Sequence, residues 1–194
     1  MRSSQTVHAG GPRRRAVVAI VLPLLSLSLA ACATAEADAR GADAPSDKGS
    51  LVGNLAPDFT VKAVKNGSGS VALKDLRGKV VLVDFWGTFC EPCKKSFPRL
   101  QQLQAKFGSN LAVIGISEDE AEDKGRIPAF ADTYGAKFTL GWDEDKSIAH
   151  SYNPDTMPSS FVIDRKGVLR FMHVGYHDGD AAKVEGEIKE LLAQ

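Results

Sequence analysis

Three cysteines in 194 residues are too few for a fold stapled by disulfides, and no apolar run reaches the roughly 20 residues a membrane-spanning helix needs. Charge of one sign is missing as well. With 24 basic residues against 24 acidic ones, net charge points to no nucleic-acid partner. A hydrophobic fraction of 43% excludes disorder throughout, and aromatics at 7% and charged residues at 25% are ordinary for a globular protein.

The charge is not evenly spread. Four arginines and no acid fall within the first 32 residues, so the remainder is mildly acidic, at −4. Arg13-Arg14-Arg15 leads into an apolar stretch from Ala16 to Ala31, interrupted by Pro23, which reads as the charged and hydrophobic regions of an export signal. The triple arginine hints at twin-arginine export, although the rest of that signal is missing. Leu29-Ala30-Ala31-Cys32 resembles the lipobox of bacterial lipoproteins, which implies Cys32 as a lipid anchor; a plain signal peptide with an incidental cysteine is the alternative. The expected organisation is a lipoprotein-type signal peptide over 1–31, a lipid-anchored flexible linker over 32–50, rich in Ala, Asp, Gly and Ser, and one domain over 51–194.

Within that domain Val80 to Trp86 is a continuous β-branched and apolar run, as expected for a strand buried on both faces. A helical pattern follows, with Phe97, Leu100, Leu103 and Phe107 on one side, and then a second buried strand over Leu111 to Ser117. Strand, helix, strand points to a parallel crossover. Pro128 to Tyr134 and Ser147 to Tyr152 read as helices around a short strand, Phe138 to Trp142. Ser160 to Asp164 and Val168 to Val174 flank an Arg165-Lys166-Gly167 turn as a hairpin, and Asp180 to Ala193 is an amphipathic C-terminal helix. The expected fold class is α/β with a central mixed sheet flanked by helices. The acidic run Glu118 to Asp123 reads as a solvated helix start.

Cys90-Glu91-Pro92-Cys93 sits where the central strand hands over to a helix. Two thiols at this spacing can close a small disulfide, and the free N–H groups and dipole of the helix N-terminus favour the first thiolate. Cys90 is then the exposed attacking sulfur and Cys93 the resolving one. The pair could instead be half of a zinc site, but structural zinc wants four ligands and no second pair is present. Asp84, in the middle of a buried run, is costly to hold charged, so a raised pKa or a wet pocket is expected; a solvent-facing strand position is the alternative. His150, His173 and His177 make no metal spacing with the cysteines, so no metal and no cofactor beyond the Cys90-Cys93 disulfide is expected.

Trp86 to Pro98, with Cys90-Glu91-Pro92-Cys93 at its centre, resembles the active-site segment of thioredoxin-fold proteins, and specifically the TlpA/ResA-like membrane-anchored thiol-disulfide oxidoreductases. The Gly53-Asn54-Leu55-Ala56-Pro57-Asp58-Phe59 opening, Met157-Pro158 and the final hairpin and helix extend the likeness over the whole domain. The resemblance implies a thioredoxin-like fold with an N-terminal extension and a central strand-helix insertion. It also implies a cis Pro158 facing the disulfide and Asp84 as a proton relay behind the second thiol. Trp86, Glu91, Pro92, Met157 and Pro158 are the expected substrate contacts. The partners implied are disulfide-containing envelope proteins and a membrane electron donor, with no nucleic acid, on a lipid-anchored protein facing the periplasm or outer surface. In relatives of cytochrome c maturation an acidic residue usually stands three positions after the second cysteine. Ser96 stands there in this chain, which leaves dithiol chemistry untouched but not apocytochrome c specificity.

The reading is therefore an enzyme of thiol-disulfide exchange, acting as a reductant. A peroxiredoxin-type thiol peroxidase, suggested by the Ala-Pro-Asp-Phe opening, and a non-enzymatic copper-handling module are the alternatives. Peroxiredoxins place Thr or Ser three residues before the reactive cysteine, whereas Thr88 is two before Cys90. If the helix tip activates the first sulfur, alkylation of the reduced protein near neutral pH labels Cys90 before Cys93; faster labelling of Cys93 overturns the assignment.

Overall fold

A computed structural model describes residues 51–194. The expected signal peptide, the Cys32 anchor and the 32–50 linker lie outside the described residues. The chain runs β1 (Thr60–Lys65), β2 (Ser70–Ala72), β3 (Val80–Trp86), α1 (Cys93–Phe107), β4 (Leu111–Ser117), α2 (Ile127–Thr133), β5 (Thr139–Trp142), α3 (Ser147–Tyr152), β6 (Ser159–Ile163), β7 (Leu169–Val174) and α4 (Asp180–Leu192).

These strands form one sheet in the order β2-β1-β5-β4-β3-β6-β7. The β3, β4 and β5 strands are parallel, as the crossover pattern requires, while β6 runs antiparallel to β3 and β7 antiparallel to β6. The thioredoxin-like mixed sheet expected from the sequence is thus observed.

All seven residues of β3 are buried, which explains why its sequence is apolar without alternation. Alternation persists in direction even so. Val80, Leu82 and Trp86 join a core with Phe97, Leu100 and Leu103 of α1, Phe130 of α2 and Ile188 of α4. Val81, Val83 and Phe85 point the other way, into a second core with Phe59, Tyr152 of α3 and Phe161. Asp84 shares the parity of Leu82 and Trp86, so it lies on the α1 side.

The β1-β2 hairpin went unread in the sequence, because Thr60–Lys65 is mostly half-exposed and carries two lysines, a weak strand signal. It joins the sheet antiparallel to β5. The join needs Gly141, where a Cβ would sit 2.4 Å from Val61 Cγ2. The segment expected to hold a strand-helix insertion forms α2 and β5.

Phe97 ties the first core together, its ring centroid 4.5 Å from Trp86, 5.1 Å from Phe130 and 5.3 Å from Phe138. Phe97→Ala is expected to cost about 3–5 kcal/mol, read as a lower urea midpoint at unchanged slope.

Candidate active site

Between the end of β3 and the start of α1 the chain makes a tight loop that delivers both cysteines to the helix tip. Cys90 N–H donates to Gly87 O at 3.0 Å, closing the turn. Cys90 and Cys93 are joined, with their Cα atoms 5.3 Å apart. The Cys93 N–H, at the first position of α1, donates to Cys90 Sγ at 3.2 Å. A helix-terminal amide therefore already points at the sulfur that would carry negative charge after reduction. No acidic residue in the first turn of α1 opposes that charge.

Cys90 is only 6% exposed and Cys93 not at all. The expected asymmetry is present, but Cys90 is tucked under the loop rather than standing out from it. The exposed apolar group is Phe89, at 62%, whose ring lies against Gly87; a Cβ there would come within 2.6 Å of the ring. Glu91 and Pro92 are exposed beside it, Met157 is half-buried against the core that contains both cysteines, and Pro158 is buried. The Met157-Pro158 peptide is cis. Pro158 shares a cavity wall with Ser96, whose hydroxyl donates to Cys93 O at 3.1 Å.

Trp86 differs from expectation. It has no exposed surface and packs edge-on against Phe97 and at a tilt against Phe130, so it supports the loop from below and cannot serve as a substrate contact in this conformation.

The sequence reading also missed what holds the loop. Asp119, inside the acidic run taken for a solvated helix start, is wholly buried. It accepts from Thr88 N–H at 3.0 Å, from Thr88 Oγ1 at 2.5 Å and from Ser117 Oγ at 2.7 Å. Its own carbonyl accepts from Trp142 Nε1 and Lys146 Nζ. The available signal was position: Asp119 lies just beyond the C-terminal end of β4, the strand parallel to β3, where loops of neighbouring parallel strands meet.

Asp84 is fully buried, with Ser160 Oγ donating to Oδ1 at 2.5 Å and no partner for Oδ2 among the described residues. Burial pushes its carboxyl up from the ordinary 3.8 to about 7, with the Ser160 hydrogen bond pulling the other way. The solvent-facing alternative is thereby excluded, and a carboxyl held well above the usual carboxylate range sits on the α1 face of the sheet. Among the described residues no group of three or more His, Cys, Asp or Glu side chains is placed to hold a metal ion; His173 instead pairs with Glu187, Nε2 to Oε2 2.7 Å.

The AhpC/TSA family profile matches residues 52–172. Thioredoxin-like protein YneN of Bacillus subtilis is 38% identical over 124 residues, covering 63% of this chain and 71% of the relative. Thiol-disulfide oxidoreductase ResA of Bacillus thuringiensis is 31% identical over 72% of this chain and 78% of its own length. The chain belongs to the AhpC/TSA family and, within the thioredoxin superfamily, to its TlpA/ResA-like group. The architecture of this TlpA/ResA-like protein agrees with a solved structure of a candidate thiol:disulfide interchange protein DsbE from Chlorobium tepidum, at TM-score 0.67 and 34% identity, covering 73% of this chain and 97% of the other. It also matches the thioredoxin domain of a thiol-disulfide oxidoreductase from Bacteroides vulgatus, at TM-score 0.59 and 26% identity over 71% and 97%. With its paired cysteines, this TlpA/ResA-like chain is a thiol-disulfide oxidoreductase.

Because the folded pKa of Asp84 lies above the unfolded one, the native state holds the extra proton, and the stability this proton gives is complete below about pH 4 and lost as pH rises through about 7. About three pKa units correspond to roughly 4 kcal/mol. Asp84→Asn is therefore expected to gain stability relative to wild type between pH 4 and pH 8, by up to about that amount, in paired urea titrations. A pH-independent difference contradicts the raised pKa.

Proposed function

We propose that this protein is a lipid-anchored, envelope-facing reductase of selected protein disulfides, recharged by an electron donor in the membrane. In this reading Cys90 is the nucleophile, Cys93 the resolving thiol and Asp84 the proton relay, while Glu91, Pro92, Met157 and Pro158 bind substrate beside the exposed ring of Phe89. The observation that carries it is the asymmetric pair at the tip of α1: a wholly buried Cys93 whose N–H is aimed at the sulfur of Cys90, the one of the two residues that keeps some exposure. The lipidated Cys32 and the 32–50 tether are supported by the sequence pattern, as is export to the periplasm or outer surface. Among the described residues no helix is long and apolar enough to cross a membrane.

The chemistry balances as a two-electron exchange. The Cys90 thiolate attacks one sulfur of the substrate disulfide, forming a mixed disulfide and releasing the other sulfur as a thiolate. Cys93 then gives its proton to the Asp84 carboxylate and attacks Cys90 Sγ. The second substrate thiolate leaves, and the Cys90-Cys93 bond is restored. Two electrons and two protons from the membrane donor return the pair to the dithiol. Phe89 and Met157 supply apolar surface, and the backbone at Met157 suits an extended polypeptide segment laid across the site. Ser96 in place of an acid argues for substrates other than apocytochrome c.

The reductant is expected to accelerate insulin reduction by dithiothreitol, with Cys90→Ser inactive and Cys93→Ser accumulating a mixed disulfide with insulin. Rapid consumption of hydrogen peroxide without insulin turnover overturns the reading in favour of a peroxidase. Equilibration with a glutathione buffer fixes direction: a potential near the roughly −120 mV of strong oxidants is incompatible with a reductant.

A further inference from the structure

A polar row crosses the sheet at the level of Asp84. Register sets Asp84 of β3 opposite Ser160 of β6, and Ser160 opposite His173 of β7. Directly opposed residues on adjacent strands project from the same face. The three side chains therefore stand in line on the side covered by α1 and α4, among Leu82, Leu100 and Val184. Ser160 Oγ donates to Asp84 Oδ1 at 2.5 Å, and His173 Nε2 lies 2.7 Å from Glu187 Oε2 of α4, inside the same nearly buried layer. Ser160 and His173 both line a cavity of about 40 Å³ that also meets Ser96, Pro158, Tyr176 and Arg99. That volume is enough for one water, and although most of the lining is apolar, Ser96, Ser160 and His173 on its wall are polar groups that could hold it. Asp84 itself does not line the cavity. Its hydrogen bond to Ser160 joins it to a group that does.

A buried carboxyl that takes a proton in every cycle must also lose it, and an apolar sheet interior offers no water for that step. We propose that Ser160, the water of this cavity and the His173-Glu187 pair form the path by which the Asp84 proton exchanges with solvent. The inference rests on the relay reading of Asp84 given above. Once Cys93 has protonated Asp84, the carboxyl O–H passes its proton to Ser160 Oγ as the Ser160 hydroxyl hydrogen passes to the cavity water. The serine ends neutral, and the water hands the proton to the imidazole of His173, which releases it to bulk solvent. In this route the Nε2 of His173, 2.7 Å from Glu187 Oε2, carries the hydrogen donated to Glu187, and Nδ1 is left as the proton acceptor. The ionisable groups beside the row are Arg99 from α1, Tyr176 from the loop after β7 and Asp180 from α4, which line the cavity, and Glu187 of α4, which pairs with His173.

The test is repeated turnover of insulin disulfides by the full-length protein with saturating dithiothreitol, between pH 5 and 9 in H₂O and D₂O, so that Asp84 must release its proton before each new cycle. Asp84→Asn and Ser160→Ala are both expected to slow it by at least about tenfold, the usual scale for loss of a positioned proton-transfer group being larger still. Ser160→Thr, which keeps the hydroxyl, retains the rate. Added imidazole restores Ser160→Ala but not Asp84→Asn, and His173→Gln raises the solvent isotope effect. A Ser160→Ala protein at the wild-type rate, or a slow one that neither imidazole nor the threonine variant rescues, overturns the route while a slow Asp84→Asn keeps the relay. Asp84→Asn at the wild-type rate removes both. If Ser160→Ala does not fold, His173→Gln with an unchanged rate and isotope effect overturns the route by itself.

Discussion

A strand buried on both faces leaves its side chains no water to turn to, and β3 is such a strand along its whole length. Every apolar residue in it finds a core on one side or the other, and the helix that follows must start where the strand runs out, at the edge of the sheet. That edge is where the two sulfurs are held. The same burial that makes β3 the anchor of the fold also makes Asp84 a weak acid, because its charged form has lost its hydration and has one hydrogen bond from Ser160 in exchange. Support for the site and tuning of its proton chemistry thus come from one constraint.

The loop between strand and helix is held from the opposite direction. Asp119 reaches over from the end of β4 to bind both the backbone and the hydroxyl of Thr88, two residues before Cys90. It is anchored in turn by Ser117 Oγ, and the backbone around it receives Trp142 and Lys146. Removing one partner from so enclosed a set leaves buried donors unpaired, at a cost of about 1–3 kcal/mol each. Trp86, packed below the loop, adds a rigid apolar floor. The cysteines therefore sit on a platform set by two parallel strands, while Phe89, Pro92 and a Glu91 paired with Lys94 stand exposed beside them.

Much of this was legible in the chain. The β3 run, the α1 pattern, the parallel β4, the closing hairpin and the terminal helix all carry strong periodicity, and the Cys-x-x-Cys at a strand-to-helix junction pointed to its chemistry directly. Asp84 could be singled out because a lone carboxyl in an apolar run is conspicuous. Asp119 could not, since acids at a loop are ordinary and its burial depends on Thr88, 31 residues earlier in the chain. Nor could the row from Asp84 through Ser160 to His173, which exists only because β6 and β7 pair with β3 in one particular register.

Local order of residues thus determined what could react: two thiols at helical spacing, a strand with one ionisable group, a proline preceded by methionine. Tertiary structure decided how accessible each thiol is, which carboxylates are buried, that the Met157-Pro158 peptide is cis and that Trp86 lies beneath the site rather than on it. The division has a physical cause. Periodicity reports which face a residue turns to the core, but hydration and hydrogen-bond partners are set by segments that meet only after the sheet has closed.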